Sequence, residues 1–388
     1  MKTAFLLAWR YLTCYRIRTG ILVGCIAIVM FLPMAVQQLV HHYERALRAR
    51  ADSTPLVVGA PGSRMDLLMN SLYFRGTVRA TITGEDTAGI HAEGLGLSIP
   101  VHFRHFAQGH PLVGTTLDYF EFRGARLAVG RWPGIMGQAV VGHSVAEREG
   151  LSVGSALLSD VENLYDIGAS YPLKLRVTGV LEPQGSPDDE AVFVDLKTAW
   201  IIEGIGHGHQ DVDEDTSDAL VMERSEGHVA TNAAVIEYTE ITPENVDQFH
   251  FHGDPDGFPI IASIVVPTDD KGRTILRSRY RHRDGVQALE PAIALGELME
   301  IVFQVKRFFD ANFLAIGLTT SVLLLLVLWL TRQVRAREFL TLYRIGCGRR
   351  LLFAAQTWEI VLVIAAGLGF AWLGSWVAVR ALAAGLFG

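Results

Sequence analysis

The chain contains very little lysine, and this excludes one source of energy. Only five lysines occur among the 34 basic residues of the 388-residue sequence, and none follows a glycine (Lys2, Lys174, Lys197, Lys271 and Lys306). A phosphate-binding loop of the Walker type needs a Gly-Lys pair, because backbone amides hold the phosphates while the ammonium group reaches them. We therefore expect no ATP hydrolysis by this chain itself.

Cysteine is also scarce. The three cysteines lie towards the two ends of the chain, whereas all 13 histidines lie between His41 and His282. The long middle of the chain therefore has neither an internal disulfide nor a cysteine-based metal site. It also lacks Gly-x-Ser-x-Gly and His-Glu-x-x-His motifs, so we expect a protein without catalytic residues. With 34 basic against 41 acidic residues, a net charge of -7, the composition does not favour a nucleic acid partner.

Half of the residues are hydrophobic and only 19% are charged, with a mean hydropathy of +0.27, which is typical of a membrane protein. Residues 20–40 form a charge-free run long enough to cross a hydrocarbon core of about 30 Å as a helix, with Pro33 inside it. Residues 311–330 form a second run. The third run, residues 357–379 within the segment 351–388, carries one acid, Glu359. We predict three transmembrane helices.

Arginine placement predicts their orientation. Residues 331–350 contain six arginines and one glutamate, so this loop and residues 1–19 are predicted to be cytoplasmic. The segment after Arg350 allows one span, which places the C-terminus outside. Residues 41–310 then face the periplasm, with the chain in a bacterial inner membrane. A cleaved signal peptide is the alternative for residues 20–40, but that run exceeds a usual signal core.

The middle segment, residues 41–310, has the pattern of a mixed α+β domain. Residues 173–181 and 190–196 alternate like half-buried strands, while residues 63–73 have a serine start and helical apolar spacing. Residues 290–310 keep a helical pattern up to the second apolar run. We therefore expect the outer domain to stand on a helical stalk that continues into the membrane helix.

The cytoplasmic loop carries a more specific motif. Residues 337–350, REFLTLYRIGCGRR, resemble the RE-x3-L-x2-[LI]-G-small-small-RR segment of FtsX-like permeases, the MacB, LolC and FtsX group of ABC transporter subunits. The Ala8-Trp9-Arg10 and Arg18-Thr19 segments, followed by an apolar run with Gly24, are similar to the family's first helix. Short segments at 130–131, 139–142, 150–154, 177–181 and 192–196 resemble its periplasmic core. The resemblance covers most of the chain apart from residues 203–256.

The resemblance implies a MacB-like periplasmic core domain in a non-catalytic permease, present as a homodimer or a pair. ATP would be used only through a separate cytosolic ATPase docked on residues 334–350. An amphipathic helix with Phe339, Leu342 and Ile345 on one face suits such a groove, while its arginines contact membrane lipids or acidic residues. A generic basic loop is the alternative. The residues that the resemblance assigns to coupling are Arg337, Glu338, Leu342, Gly346, Arg349 and Arg350.

The number of helices departs from the family. Its members have four spanning helices, whereas three are predicted here. A fourth helix would come from another chain, or the system would work without one.

Residues 203–256 form an acidic, histidine-rich insertion with fourteen acids and one basic residue, Arg224. Its two His-x-His pairs with neighbouring carboxylates predict a site for a divalent metal such as Zn²⁺, because neutral imidazole and carboxylate are suitable ligands. A solvated acidic loop with incidental histidines is the alternative. Outside the insertion, His102, His105 and His110 could join a site, but we expect hydrogen-bonded surface roles. The candidate ligands are His207, His209, Asp211, Asp213, His228, His250, His252 and Asp254.

Three functions are compatible with these patterns. The favoured one is a permease subunit that transmits ATP-driven movement to a periplasmic domain, with a zinc-linked task and a periplasmic metal-binding protein or lipoprotein as partner. The second is an FtsX-like signalling subunit that activates a periplasmic enzyme without transport. The third is a membrane-anchored metal-binding or sensor module.

Overall fold

The computed structural model describes residues 2–160, 172–208, 221–225, 228–231 and 238–386. The chain divides into two compact units. We call residues 1–45 and 298–388 the helical unit, and residues 46–297 the sheet unit.

The described helices include very long and very short ones, and the long ones belong wholly or largely to the helical unit. Their bounds are α1 Lys2–Cys14, α2 Arg16–Asp52, α3 Arg64–Leu72, α4 Gly84–Ala92, α5 Leu117–Arg123, α6 His143–Glu149, α7 Leu196–Ile202, α8 Asp270–Arg281, α9 Pro291–Val334, α10 Ala336–Arg344 and α11 Arg349–Leu386.

Three of the described helices are long and apolar enough to cross a membrane, judged by length and composition: Arg16–Asp52, Pro291–Thr331 and Arg349–Leu382. Each extends beyond the apolar run that predicts it. The predicted stalk, residues 290–310, and the second run form one continuous helix, α9, since no proline interrupts it after Pro291.

In the helical unit, α11 packs against α1 and α2. The rings of Phe5 and Trp358 meet edge to face with centroids 5.3 Å apart, and the Gln38 amide donates a hydrogen bond of 2.9 Å to the Ser375 hydroxyl. Gly367 allows this approach, because a Cβ there would lie 2.6 Å from Ile26 Cγ2. A glycine at such a contact lets two helices approach closely.

The strands all lie in the sheet unit. Their bounds are β1 Leu56–Gly59, β2 Ile82–Thr83, β3 Gly96–Ala107, β4 His110–Thr115, β5 Leu127–Gly130, β6 Gln138–Val141, β7 Ala156–Leu158, β8 Lys174–Leu181, β9 Val192–Asp195, β10 Gly206–Gly208, β11 Val221–Ser225, β12 His228–Thr231, β13 Phe249–Phe251, β14 Pro259–Ile260, β15 Ala262–Pro267 and β16 Gln287–Leu289.

Ten strands form one mixed sheet in the order β16-β1-β15-β3-β4-β9-β6-β8-β5, with β7 also paired to β8. The β4–β9 and β6–β8 pairs are parallel and the other pairs are antiparallel. Two apolar clusters pack on this sheet, one around Val192 and Leu175 with α6 and α7, the other around Val265 with α4 and α8. Each fully buried Val or Leu contributes about 1.5–3 kcal/mol, so these clusters are the main source of stability.

The sheet unit confirms the strands predicted within 173–181 and 190–196, which are β8 and β9. The helix predicted for residues 63–73 is α3, which Ser63 and Tyr73 cap, and the Ser63 hydroxyl accepts a hydrogen bond from the Asp66 amide, as expected for a helix N-cap. After strand β6, helix α6 ends at Gly150, which has a φ of 64°.

Within the sheet unit, a buried ion pair joins the end of α2 to the 3₁₀ turn Pro187–Glu190. The Arg50 guanidinium donates two hydrogen bonds of 2.7 Å to the Asp188 carboxylate, and the Tyr119 hydroxyl donates another of 2.6 Å. Arg50 and Asp188 expose only 5% and 1% of their side chains. Burial alone would raise the pKa of Asp188, but the charge and hydrogen bonds of Arg50 outweigh it and lower that pKa.

The expectation that His102, His105 and His110 lie at the surface is wrong, because all three are buried. Strands β3 and β4 are interior members of the sheet, and α7 covers one of their faces. His102 Nε2 lies 3.0 Å from Oε2 of Glu203, which follows α7. His110 Nε2 lies 3.1 Å from Oε1 of Glu149. Both buried histidines therefore have a carboxylate partner, and the partner of His110, Glu149, is exposed.

Candidate functional site

Three of the predicted ligands meet on a two-stranded ribbon made by β10 and β13. The strands are antiparallel, with His207 directly opposite His250. His252 follows two residues after His250, and alternate residues of an extended chain share a face. The ring centroid of His207 lies 4.7 Å from that of His250 and 5.2 Å from that of His252. The ring centroids of His250 and His252 are 5.1 Å apart.

The local sequence explains why this ribbon forms. Gly206 and Gly208 face Phe251 and Phe249 across the ribbon. A Cβ on Gly206 would lie 2.6 Å from the Phe251 ring, and one on Gly208 would lie 2.7 Å from the Phe249 ring. The glycines therefore leave room for the two rings, which an alanine at either position would displace.

The opposite face of the ribbon is anchored in the protein core. Phe249 is 8% exposed within the cluster around Val192, and Phe251 packs against both clusters and lies 6.4 Å from the Trp200 ring. Because phenylalanines alternate with histidines in this strand, burying the aromatic side turns the imidazoles to the other side. His207 and His250 are half-buried and His252 is exposed.

The three histidines each offer one ligand atom, and these atoms lie within 4.8 Å of one another. His250 Nδ1 also lies 3.3 Å from the carbonyl oxygen of Gln248. In the tautomer that carries its proton on Nδ1, this nitrogen donates to the carbonyl and the contact orients the imidazole ring.

The other predicted ligands have different positions. His209, Asp211 and Asp213 lie outside the described residues. The backbone of His228 begins β12, but its side chain is outside the description. The Asp254 carboxylate accepts a hydrogen bond from the Asp256 amide and caps the short 3₁₀ turn Pro255–Gly257. Among the described residues, Asp254 is not part of the histidine group.

Two ion pairs join β8 to Glu240, in the last part of the insertion. Lys174 Nζ and an Arg176 guanidinium nitrogen each lie 2.6 Å from the Glu240 carboxylate. Their hydrogen bonds and charges lower the pKa of Glu240. Buried Ile241 follows in the chain and adds an apolar anchor next to Gly137. Residues 238–241 therefore hold the insertion to the main sheet, close in sequence to the histidine strand.

The predicted coupling residues lie in and after α10. Arg337 and Glu338 are exposed in its first turn, Leu342 is half-buried in its last, and Arg349 and Arg350 begin α11. The Phe339 side chain is outside the description. Leu340, Tyr343 and Ile345 expose 51%, 47% and 76% of their surface. Exposed apolar side chains on a short helix can dock into a partner groove.

Gly346 ends this helix for a physical reason. Its φ is 106°, its amide donates to the Tyr343 carbonyl, and the amide of Cys347 donates to the Leu342 carbonyl. These two bonds form the Schellman arrangement, in which a glycine after the helix satisfies the last carbonyls. The Gly-small-small-Arg-Arg part of the motif is therefore a helix stop followed at once by a new helix start.

A network around Arg335, not predicted from the sequence, holds the junction before α10. The Arg335 guanidinium lies 3.5 Å above the Tyr11 ring, 2.9 Å from Glu359 and 3.3 Å from Glu338. It joins α1 and α11 to the start of α10 within the helical unit. The single acid in an apolar run, Glu359, is the feature that could have indicated it, because such an acid needs a partner.

Comparison with known proteins matches residues 19–237, more than half of the chain, to the family model described as the MacB-like periplasmic core domain. The matched stretch includes the first part of the acidic insertion. No curated protein matches the chain.

Two solved structures of low identity are similar to part of the chain. The periplasmic region of MacB from Actinobacillus actinomycetemcomitans has 12% identity and a TM-score of 0.37, covering 64% of this chain and 92% of that one. The extracellular domain of the ABC-type transporter YknZ from Gram-positive bacteria has 11% identity and a TM-score of 0.33, covering 61% of this chain and 99% of that one.

Proposed function

This chain belongs to the family of the MacB-like periplasmic core domain, and from that membership we propose that it is the permease subunit of an ABC transporter. In this proposal a separate cytosolic ATPase hydrolyses ATP, and the chain transmits the resulting movement to its sheet unit, which acts on a substrate or partner outside the membrane. The family match is the observation that carries the proposal.

The form of residues 335–350 supports a coupling role. A short helix with exposed apolar residues lies between two long apolar helices, and its end is fixed by Gly346. Its start is held by Arg335, which is 11% exposed and paired with Glu359. A helix that is held at both ends transmits a displacement applied to its surface, whereas a flexible loop would deform instead. The absence of a Gly-Lys pair from the sequence is consistent with ATP use only through a partner.

The coupling role predicts the behaviour of a double variant, Glu338→Ala with Gly346→Ala. A non-glycine residue at positive φ costs about 1–2 kcal/mol, so the helix end should fray, and the exposed carboxylate is removed as well. We expect the ATPase to co-purify with the detergent-solubilised chain in smaller amount and its ATP turnover to lose dependence on the chain.

The matched control is Gly348→Ala, which adds the same methyl group two residues later, where a Cβ meets nothing within 4 Å and φ is not positive. That variant should behave like the unmodified chain. Limited proteolysis should show an intact sheet unit in both variants. Unchanged ATPase retention and stimulation in the double variant would remove the coupling role.

The proposal also includes a topology, with α10 in the cytoplasm and the sheet unit outside. A reporter enzyme that is active only outside the membrane should be active when fused after Gly388 and inactive when fused after Gly348. The basis is the arginine-rich segment between the second and third apolar helices. If a second reporter, of a kind that is active only in the cytoplasm, is active when fused after Gly388, the three-span arrangement is contradicted.

A further inference from the structure

The β10–β13 ribbon presents chemistry that the permease role does not use. We infer that His207, His250 and His252 form a single solvent-accessible site for Zn²⁺ or a similar transition-metal dication, and that the bound ion joins the two ends of the acidic insertion. The inference goes beyond the proposed function and does not depend on ATPase coupling.

The backbone and the core position these imidazoles before any metal binds. The pairing of His207 with His250 is set by the ladder, and the orientation of the histidine face is set by Phe249 and Phe251 in the core. A site assembled from a flexible acidic loop would lose binding energy to ordering of the chain. Here the ordering is part of folding of the sheet unit.

The spacing suits a tetrahedral ion. With Zn–N bonds of about 2.0–2.1 Å, neighbouring nitrogens of a tetrahedral site lie about 3.4 Å apart. The three ligand atoms already lie within 4.8 Å of one another. His207 is half-buried and His252 is exposed. Rotations about their side-chain bonds can shorten the distances between the ligand atoms to the tetrahedral spacing without moving the ribbon.

The donor set selects the class of metal. Three neutral imidazoles suit Zn²⁺ and its neighbours in the transition series, whereas Ca²⁺ and Mg²⁺ require oxygen ligands. Among the described residues the group contains no carboxylate. The acidic surround, fourteen acids against one base in residues 203–256, raises the local cation concentration without providing the selectivity.

The site is also open. Three protein ligands leave a fourth position for water or an incoming ligand, which is the arrangement of sites that exchange ligands rather than of closed structural sites. Since His252 is exposed, the ion can enter from solution. His207 and His250 lie near opposite ends of residues 203–256, so the ion links two segments that are distant in the sequence.

The test is calorimetry of the detergent-solubilised full chain with Zn²⁺ in excess Ca²⁺, which occupies the carboxylates. We expect one Zn²⁺ per chain, and X-ray absorption of the zinc-loaded protein should show imidazole scattering from three ligands. His250→Ala should weaken this binding by at least about tenfold, since even loss of an outer-shell partner of a metal ligand typically costs 10–100-fold.

Two further variants test whether zinc affinity depends on these three histidines and on their arrangement on the ribbon. His282→Ala removes an exposed histidine outside the group and should leave affinity unchanged. Gly208→Ala keeps every ligand but places a Cβ against the Phe249 ring, so affinity should fall although no ligand is removed. Circular dichroism should show that each variant remains folded.

Two results would overturn the inference: zinc binding that persists in the His207→Ala, His250→Ala, His252→Ala triple variant, or zinc that Ca²⁺ displaces. The first result would assign the binding to residues outside the three histidines, and the second would assign it to carboxylates. ATPase co-purification, measured on the same preparations, reports on the permease proposal separately, so failure of one does not imply failure of the other.

Discussion

Replacing Asp188 by alanine is expected to lower the free energy of unfolding of the sheet unit by about 3–5 kcal/mol. The carboxylate is 1% exposed and pairs with a guanidinium that is 5% exposed. Its removal leaves the Arg50 charge in the core with the Tyr119 hydroxyl and the Leu72 carbonyl as its remaining partners. An uncompensated buried charge destabilises far more than the pair itself stabilises.

Pulse proteolysis in urea of the detergent-solubilised chain measures this change. With a slope of about 1–3 kcal/mol per molar, the urea midpoint of the sheet unit should fall by about 1 M or more. The matched control is Glu297→Ala, which breaks the exposed Arg64–Glu297 pair of the same unit, at 48% and 59% exposure. The decrease in the urea midpoint for Glu297→Ala should be small, because exposed ion pairs contribute little to the free energy of unfolding. Equal midpoints for the two variants would contradict the role of Asp188.

The same pair predicts a dependence on pH. The pKa of Asp188 is lower in the folded chain than its ordinary value near 3.9. Its contribution is therefore fully present above that ordinary value and is lost as pH falls through the lower folded pKa. The difference in stability between the unmodified chain and Asp188→Ala should be constant from neutral pH to about pH 5 and should shrink below pH 4. A difference that grows on acidification would reverse the assignment.

Local patterns in the sequence were sufficient to predict individual elements. Alternation predicted β8 and β9, and the serine before an apolar helical repeat predicted α3. Alternate residues of an extended chain share a face, so the His-x-His spacing is enough to bring His250 and His252 together, and their ring centroids are 5.1 Å apart. In these cases the determining interactions lie within a few residues along the chain.

Contacts between distant segments were not predictable in the same way. His207 lies opposite His250 because of the register of the ribbon. This register depends on how the rings of Phe249 and Phe251 fit over two glycines about forty residues earlier in the chain. Burial of His102 depends on α7 covering its strand and supplying Glu203. A single histidine in a strand has the same local pattern whether a helix covers it or water does.

The coupling motif and the burial of side chains around Arg335 draw attention to different acids. The motif drew attention to Glu338, yet Glu359 is the more buried partner of Arg335, at 16% against 53% exposure. A partly buried ion pair at the end of an apolar helix persists only where both partners are held in place, which here requires α1, α10 and α11 together.

We therefore expect Glu359→Gln to lower the thermal stability of the helical unit and to abolish stimulation of ATP turnover. This substitution removes the negative charge 2.9 Å from a guanidinium that is only 11% exposed, and a hydrogen bond between charged groups contributes about 1.5–3 kcal/mol.

Glu338→Gln is the matched control, because it removes a carboxylate from the same guanidinium. Thermal unfolding in detergent should show little change for Glu338→Gln and a clear decrease for Glu359→Gln. A contact of Glu338 with the ATPase would instead show in ATPase retention alone. If the two variants lose thermal stability equally, Glu359 has no special part in holding α10. If Glu359→Gln loses stability but keeps full stimulation, the Arg335 network stabilises the helical unit without taking part in transmission.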